Sequence, residues 1–386
     1  MAGTALNDPY ADIRPYRDDE VASVLARLLD DPELLRAMAV FRFGAAARAL
    51  PFLFQPAVRT FLRRRTRGVR SVRDLQLLIR GYLERMIAAT TAGLTVSGLD
   101  ALDPAGAYLF VSNHRDIALD PAFTNYALNR SGFDTLRIAI GDNLLAKPWV
   151  SDLMRLNKSF VVRRSVSGTR ELLAASRHLS GYIRHSLQRE RANVWLAQRE
   201  GRAKDGVDRT EPAVVKMVCL SRDKASESFG EHIAGLRIVP VAISYELDPC
   251  DALKARELAE RERTGGYEKG AEEDIAAIGT GIAGNKGRVH VSFGTPLGRD
   301  YETPAAVAAE IDRQIITGYC LHPTNLDAYA TLAAESAPAE LTREAGSVSL
   351  RAFRERLATL PAEHRPYALA GYANAVRSKL ALGEPA

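Results

Sequence analysis

The feature that most constrains this sequence is an alternation of short apolar runs and helical segments between residues 94 and 293. The runs are rich in β-branched and aromatic residues and are bounded by Gly, Pro, Asn or Asp, which is typical of buried strands. They lie at residues 94–98, 107–111, 136–140, 158–164, 193–197, 236–245 and 288–293. Helical patterns such as 169–188 and 252–278 separate them. This order predicts an α/β fold, with a mixed, partly parallel sheet flanked by helices.

Helical patterns also extend on both sides of this region. We expect residues 1–92 to form a helical N-terminal region, 93–300 an α/β domain, and 301–386 a helical C-terminal region. The composition, with 46% hydrophobic and 26% charged residues, is that of an ordinary globular protein. The net charge of +5 suits an anionic substrate, an anionic membrane surface or nucleic acid about equally.

The cysteines and the charge distribution bear on the compartment. Cys219, Cys250 and Cys320 are odd in number, scattered, and lack metal-ligand spacing. They predict a reducing compartment and no metal site. Acidic residues arrive early in the chain, which argues against a secretory signal. Because no uncharged run approaches the roughly 18 residues that a spanning helix needs, we expect a soluble or peripheral protein in the cytoplasm.

Residues 37–70 combine aromatic and basic side chains in an unusual density. The phenylalanines include Phe52, Phe54 and Phe61, and the arginines run from Arg59 to Arg70. Such a segment can lie in a membrane interface, with its basic side toward lipid phosphates. Alternatively, the aromatic residues pack on the main domain and the arginines form a solvated face. Both interpretations stay open, whereas nucleic-acid binding is not expected because no recognised module accompanies the arginines.

His114 stands where the apolar run 107–111 ends, and Asp116 and Asp120 follow it. A histidine at this place can act as a general base, with a carboxylate that fixes its tautomer and stabilises the imidazolium. The alternative is structural: Asp120 caps a helix whose first residue is Pro121, and His114 is an ordinary loop histidine. The residues of this segment alone do not decide between these interpretations.

Asn113-His114 and the aspartate that follows resemble the His-x4-Asp motif of the glycerolphosphate acyltransferases. The family spacing falls on Leu119, so that Asp120 comes one residue later. Either a bulge brings Asp120 to the imidazole or Asp116 contacts it, and we expect Asp120. Three later segments resemble further motifs of the family in the same order, and they are Lys158-Ser-Phe-Val-Val-Arg-Arg164, Gln198-Arg-Glu-Gly-Arg-Ala-Lys-Asp-Gly206 and Ile238-Val-Pro-Val-Ala-Ile-Ser-Tyr-Glu246. The proline of the last segment predicts an edge strand or a strand's first residue.

The resemblance implies a direct acyl transfer from acyl-CoA or acyl carrier protein, without a further cofactor or a metal. The acceptor would be glycerol-3-phosphate or lysophosphatidate, as in phospholipid biosynthesis, at the inner face of an anionic membrane. His114 would be the base, and Asp120 or Asp116 would orient it. The residues implied in acceptor binding are Arg115, Arg163, Arg164, Glu200, Gly201, Arg202 and Lys204.

The sequence also bears on two other functions, a serine hydrolase and a membrane-surface protein without activity. A serine hydrolase would need a Gly-x-Ser-x-Gly elbow, and no serine stands in that pattern. A catalytically inactive membrane-surface protein of the same fold stays open, because all three polar motifs depart from the family's pattern. Gly279-Thr-Gly-Ile-Ala-Gly284 matches a dinucleotide fingerprint, but a helix precedes it and a strand follows, which is the reverse of the required order.

Overall fold

The structure is a computed structural model of the chain, and it describes residues 8–270, 272–338, 341 and 346–383. The chain divides into two compact units. One comprises Met1–Leu83 and Arg137–Tyr182, and the other comprises Glu84–Leu136 and Ile183–Ala386. The second unit holds the His114 segment and most of the strands.

All seven runs expected to be strands are strands in the structure. Those of the second unit are β1 (Gly93–Ser97), β2 (Leu109–Ser112), β5 (Val194–Ala197), β6 (Ile238–Tyr245) and β7 (Arg288–Phe293), and those of the first are β3 (Arg137–Gly141) and β4 (Ser159–Val162). In the second unit the strand order is β1-β7-β6-β2-β5. Only the β6–β7 pair is antiparallel, while β1–β7, β6–β2, β2–β5 and β3–β4 are parallel. The predicted mixed, partly parallel α/β fold is therefore confirmed.

Pro240 corrects one expectation, because its strand is not at an edge of the sheet. β6 lies between β2 and β7, and Pro240 is aligned with Val111 of β2. The amides of β2 and of the loop after it donate to the carbonyls of Arg237 and Val241, which places the backbone groups of Pro240 on the β7 side. There the paired ladder begins one residue later, at Val241. The carbonyl of Pro240 accepts the amide of Gly294 at 2.8 Å, so the N–H that the proline lacks would have extended this ladder by one hydrogen bond at its end.

Nine helices of the described residues lie within the second unit and cover its sheet or form its C-terminal part. They are α6 (Leu119–Arg130), α9 (Pro212–Val218), α10 (Phe229–Leu236), α11 (Asp251–Thr264), α12 (Glu273–Ala283), α13 (Pro304–Gly318), α14 (Pro323–Ala333), α15 (Leu350–Ala358) and α16 (Arg365–Leu382). The predicted helical region 252–278 is two helices, because α11 ends at Gly265 with a left-handed backbone of φ +79°. The helical C-terminal extension is confirmed.

The first unit is mainly helical. Its helices are α1 (Asp18–Asp30), α2 (Pro32–Phe43), α3 (Ala45–Ala49), α4 (Pro51–Thr66) and α7 (Pro148–Leu156), while α5 (Val72–Thr90) and α8 (Thr169–Gln188) run across the division between the units. One cluster of buried side chains joins α1, α5 and α7 around Val24, Leu75 and Leu156. A second, smaller cluster joins α2, α3 and α4 around Ala39, Ala47 and Val58. The predicted N-terminal helical extension is therefore present.

Helices α2 to α4 also carry a surface that we call the aromatic–arginine face. It consists of exposed side chains, namely Met38, Phe41, Phe43, Leu50, Phe52, Leu53, Phe61, Arg63, Arg64 and Arg65. Phe41 and Phe52 are 65% and 68% exposed, whereas Phe54 packs against the Ala39 cluster. Phe54 therefore packs among the N-terminal helices themselves, while Phe52 and Phe61 are exposed. In the described part of the chain, no helix is long and apolar enough to cross a bilayer.

Three parallel strands set up the region around His114. β2 lies between β5 and β6, and Ser112 at its end is aligned with Ala197 and Val241. Because β2 and β5 are parallel, the residues that follow them lie next to each other at the carboxyl ends of the strands. β6 continues for four residues beyond that point, which is about 13 Å of extended chain. Its last residues lie beside the loop that carries His114.

Candidate active site

His114 follows β2 directly, and its ring contacts the carboxylate that we expected. The distance from His114 Nδ1 to Asp120 Oδ2 is 3.0 Å. The His114 side chain is 14% exposed, whereas Asp120 is fully buried. Because a carboxylate oxygen only accepts, this contact places a proton on Nδ1 and leaves the Nε2 lone pair unprotonated in the neutral ring. His114 is thus in the tautomer that a general base requires.

The one-residue difference in spacing is absorbed by a tight loop around the Asp120 carboxylate. The backbone amides of Arg115 and Asp116 donate to the same oxygen, Oδ2, at 2.6 and 2.8 Å. The other oxygen, Oδ1, accepts the hydroxyl of Tyr245 at 2.7 Å. Four donors therefore converge on one buried carboxylate, which satisfies an ionised group in the absence of water.

Asp116, the other carboxylate considered, has a structural contact instead. Its Oδ1 accepts the amides of Ala118 and Leu119, both at 2.9 Å, at the start of α6. The expectation that Asp120 caps this helix was wrong, because α6 begins at Leu119 and Asp120 lies within its first turn. Asp116 satisfies the first amides, which leaves Asp120 available to His114.

Asn113 and Arg115, on either side of His114, are held by Asp208. The Asn113 amide donates to Asp208 and to the carbonyl of Ile243 in β6, and its oxygen accepts the Ile243 amide. Arg115 donates to both oxygens of Asp208, at 3.1 and 2.7 Å, and also to the carbonyls of Gly206 and Gly371. Because this guanidinium is buried among protein acceptors, it is not directed toward a substrate. Nothing in the local sequence marked Asp208 as their partner.

The segment 198–206, which we call the third-motif loop, follows β5. The amide of Ala203 donates to the carbonyl of His114 at 2.8 Å, so this loop lies against the histidine backbone. Lys204 forms an ion pair with Glu257 of α11 and is therefore engaged within the protein. Glu200 and Gly201 are exposed at the turn, where Gly201 has φ +70°.

Arg202 differs from the other basic residues of this loop. Its side chain is only 8% exposed, and its nearest acidic group is Asp274 at 3.9 Å. Among the described residues, no hydrogen-bond partner reaches its buried Nη1. A buried guanidinium nitrogen without an acceptor is costly unless a ligand completes it. Arg202 is therefore a basic side chain of this loop that is suited to bind an anion.

Arg163 and Arg164 belong to the first unit, at and just beyond the end of β4. Arg163 pairs with Asp12 at 2.9 Å, and the backbone amide of Arg164 donates to Asp142 at 3.1 Å. Both side chains are exposed. Their implied part in acceptor binding stays a prediction.

The C-terminal helix α16 supports the third-motif loop, a role that its sequence did not indicate. Asn374 donates to the carbonyl of Asp205 at 2.8 Å, and Gly371 accepts from Arg115. Gly206 has φ +77°, and a Cβ there would lie 2.2 Å from the Gly371 carbonyl oxygen. The loop and the helix therefore approach closely only because residue 206 is glycine.

In the described residues, no cluster of three or more His, Cys, Asp or Glu side chains could hold a metal ion.

The ring of Trp195 lies edge-on to His114, with centroids 5.9 Å apart. Its indole nitrogen is buried and has no hydrogen-bond acceptor in the described structure. Trp195, Asp208 and Tyr245 are thus neighbours of the site that motif reasoning missed, because each enters it through the fold of another segment.

The close approach at Gly206 leads to a stability prediction. Gly206→Ala introduces both a left-handed alanine and a clash with backbone, which together should lower the free energy of unfolding by roughly 3 kcal/mol. Gly201→Ala is the matched control, since its φ is also positive but no atom lies within 4 Å of the new Cβ. It should lose only about 1 kcal/mol. Urea unfolding of both variants tests this, and equal losses would contradict it.

Asp116 leads to a prediction about pH. Burial, followed by the negative charge of Asp120, raises the pKa of Asp116 above its ordinary 3.8. A carboxyl that is harder to ionise in the folded protein destabilises it as the pH rises above 3.8. Asp116→Asn keeps an acceptor for the amides of α6, so its melting temperature should improve relative to wild type as the pH is raised from 3.8 toward neutrality. A difference in melting temperature that stays constant over this range would rule this out.

Comparison with known proteins gives one family match. Residues 93–244, less than half of the chain, match the family model described as Acyltransferase. No curated protein matches the chain. One solved structure with similarity is the 1-acyl-sn-glycerophosphate (LPA) acyltransferase PlsC from Thermotoga maritima, with 11% identity and a TM-score of 0.37. The alignment covers 73% of this chain and 92% of that one.

The family match begins at the first residue of β1 and ends one residue before the end of β6. It therefore contains the His114 loop, the third-motif loop and nearly all of the Pro240 strand. These are the segments on which the resemblance was first based. Through residues 93–244, the chain is similar to the acyltransferases that this family model describes.

Proposed function

We propose that this protein transfers an acyl group from acyl-CoA or acyl carrier protein to a hydroxyl of glycerol-3-phosphate or lysophosphatidate. The observation that carries the proposal is the contact of His114 Nδ1 with the buried Asp120 carboxylate at 3.0 Å. It leaves Nε2 as the proton acceptor in a partly exposed ring. The family match supports the reaction class, and the choice of acceptor and donor rests on the motif resemblance.

In the proposed reaction, His114 Nε2 takes the proton of the acceptor hydroxyl as its oxygen attacks the thioester carbonyl. The resulting imidazolium is stabilised by Asp120, whose charge lies against Nδ1. When the tetrahedral intermediate collapses, the C–S bond breaks and the thiolate receives the proton from the imidazolium. The histidine is then neutral again, so that the step balances without an added acid or base.

Three side chains that could form an acyl-enzyme are poorly suited to do so, which supports a direct transfer. Ser112 is fully buried, and its hydroxyl donates to the carbonyl of Asn113. Burial raises the pKa of both the Cys219 and the Cys250 thiol to about 12, which leaves them protonated at neutral pH. These side chains are therefore poor nucleophiles where they stand.

Arg202 is proposed to bind the acceptor phosphate. Its buried Nη1 has no acceptor in the described structure, and its loop lies against the His114 backbone through Ala203. A guanidinium can bind two phosphate oxygens and thereby fix the hydroxyl relative to the base. The predicted part of Arg163 and Arg164 in acceptor binding rests on the motif resemblance alone. Arg115 and Lys204 are not included, because their charges are engaged by Asp208 and Glu257.

The alternative is a catalytically inactive membrane-surface protein of the same fold. A protein that only binds membranes does not need a buried carboxylate on which an imidazole and three other donors converge. We therefore favour the enzyme, and the two functions differ in whether any thioester is consumed.

The decisive variants are His114→Ala and Asp120→Asn. Loss of the general base should lower kcat about 10²–10⁴-fold, and loss of the Asp120 charge should lower it by a similar factor. Thiol release would be followed with acyl-CoA and acyl carrier protein, each with glycerol-3-phosphate and lysophosphatidate. His185→Ala, an exposed histidine of α8, is the control and should keep wild-type turnover.

Two results would count against this mechanism. One is near-wild-type transfer by a folded His114→Ala protein, as judged by circular dichroism. The other is the absence of thiol release by the wild type with all four donor–acceptor pairs, which would favour the inactive alternative. The pair with the highest kcat/KM would identify the substrates.

The aromatic–arginine face is proposed to dock the enzyme on the inner, anionic face of a membrane. Among the described residues, fourteen large apolar side chains are exposed, and seven of them lie between residues 38 and 61. Arg42 and Arg65 lie over the rings of Phe43 and Phe61, at 5.4 and 5.7 Å from the centroids. Apolar rings and cations in one surface match the acyl chains and phosphates of a bilayer interface. A docked enzyme could also release a lipid product directly.

The test replaces Arg63, Arg64 and Arg65 with Glu. Since each arginine near an anionic surface contributes about 1 kcal/mol, binding to vesicles of phosphatidylglycerol and phosphatidylcholine should weaken roughly 100-fold or more. The matched control reverses three exposed cations of the second unit, Arg189, Lys224 and Arg351, which keeps the same net charge. Equal loss in both triple variants would mean that only overall charge matters. Unchanged co-sedimentation of the first would show that the arginines are a solvated face.

A further inference from the structure

Tyr245 is the last residue of β6 and lies one residue beyond the stretch matched by the family model. The part of β6 that extends past the end of β2 carries its side chain beside the His114 loop. The ring is buried, and its centroid lies 6.0 Å from that of Phe123 in α6. Strand β6 and helix α6 therefore hold the hydroxyl in one place.

The hydroxyl of Tyr245 donates to Asp120 Oδ1 at 2.7 Å. Burial, and next the negative charge of Asp120, raises the pKa of Tyr245 well above its ordinary value, so the hydroxyl stays protonated and donates. The imidazole and the two loop amides all contact Oδ2. Within the described residues, Tyr245 is thus the one hydrogen-bond donor to Oδ1.

We propose that Tyr245 is a positioning residue that acts on His114 through Asp120, which completes a Tyr245–Asp120–His114 chain of hydrogen bonds. The proposal rests on the proposed function, because it assumes that His114 is the base. Its first consequence is geometric. A carboxylate held at both oxygens cannot rotate about its Cβ–Cγ bond, so that Oδ2 stays in line with Nδ1.

The second consequence is electrostatic. A donor on Oδ1 disperses the negative charge of Asp120 and so weakens its attraction for the proton of the imidazolium. Without the Tyr245 hydroxyl, the same carboxylate would stabilise the imidazolium more strongly. The histidine would then stay protonated, and inactive as a base, up to a higher pH.

Four other charged groups near this chain lie on four different segments. Asp116 lies on the same loop, Lys254 of α11 donates to the carbonyl of Arg115, and Asp248 after β6 pairs with Lys254. Lys286 before β7 is buried, and burial lowers its pKa to about 8. Trp195 of β5 and Phe123 of α6 add only uncharged surface. None of these groups contacts the Tyr245 hydroxyl, so its removal leaves them in place.

The test compares Tyr245→Phe with site-specific replacement of Tyr245 by 3-fluorotyrosine, a stronger donor. In Tyr245→Phe, both the titration midpoint of the His114 ring and the acid limb of the kcat/KM profile should move up by about one pH unit. The kcat should fall roughly 10-fold with little change in KM, because the base is less well aligned. With 3-fluorotyrosine, the titration and the acid limb should move to lower pH.

The ring titration is followed by NMR of protein labelled in its histidine side chains, with His114 assigned from the spectrum of His114→Ala. This readout does not need activity. If the wild type transfers no acyl group but the titrations shift as stated, the proposed function fails and the positioning role stands. If transfer depends on His114 but neither tyrosine variant shifts the titration, the positioning role is overturned.

Tyr372→Phe is the matched control. Its hydroxyl is also buried and donates to an aspartate, Asp251, at 2.9 Å, but it contacts neither His114 nor Asp120. It should lower the melting temperature without moving the acid limb. An equal shift in Tyr372→Phe would show that the effect is one of general destabilisation, which would also overturn the proposal. Should Tyr245→Phe fail to fold, the 3-fluorotyrosine protein decides the question alone.

Discussion

The arrangement around His114 depends on a single buried carboxylate, that of Asp120. No Lys or Arg side chain of the described structure donates to it, so its charge is satisfied by hydrogen bonds. The donors are the imidazole, two successive loop amides and the hydroxyl of Tyr245. Burial of such a group is unfavourable unless every lone pair is used. Its requirements therefore fix the path of the loop after β2, the start of α6 and the end of β6 together.

A second buried pair, Arg115 with Asp208, ties this loop to the rest of the second unit. A buried ion pair stabilises a fold only when its geometry is good and its remaining donors are satisfied. Here the guanidinium is bidentate on Asp208 and also donates to the carbonyls of Gly206 and Gly371. The third-motif loop and the C-terminal helix α16 consequently share one network with the residue next to His114. The C-terminal region is thus part of the support of the active site.

Much of the fold was predictable, because buried strands and amphipathic helices leave local periodic signals. All seven strands were expected within about two residues of their ends, and the motifs lie in the segment that the Acyltransferase family model matches. The helix from Phe229 to Leu236 was not expected, since it is short, and the break at Gly265 was taken for continuous helix. The position of Pro240 inside the sheet was also missed, because whether a strand is central depends on its neighbours and not on its own residues.

The sequence by itself determined the order of strands and helices, the place of His114 at the end of a strand, and the two carboxylates available to it. Only the tertiary structure decided that Asp120 contacts the imidazole while Asp116 satisfies the first amides of α6. It also decided that Arg115 and Lys204 are engaged inside the protein and that Arg202 keeps a buried nitrogen without an acceptor. The reason is the separation along the sequence between the residues that interact. Periodicity reports the environment of neighbouring residues, whereas the hydroxyl that completes Asp120 comes from a strand 125 residues away and is placed by strand register.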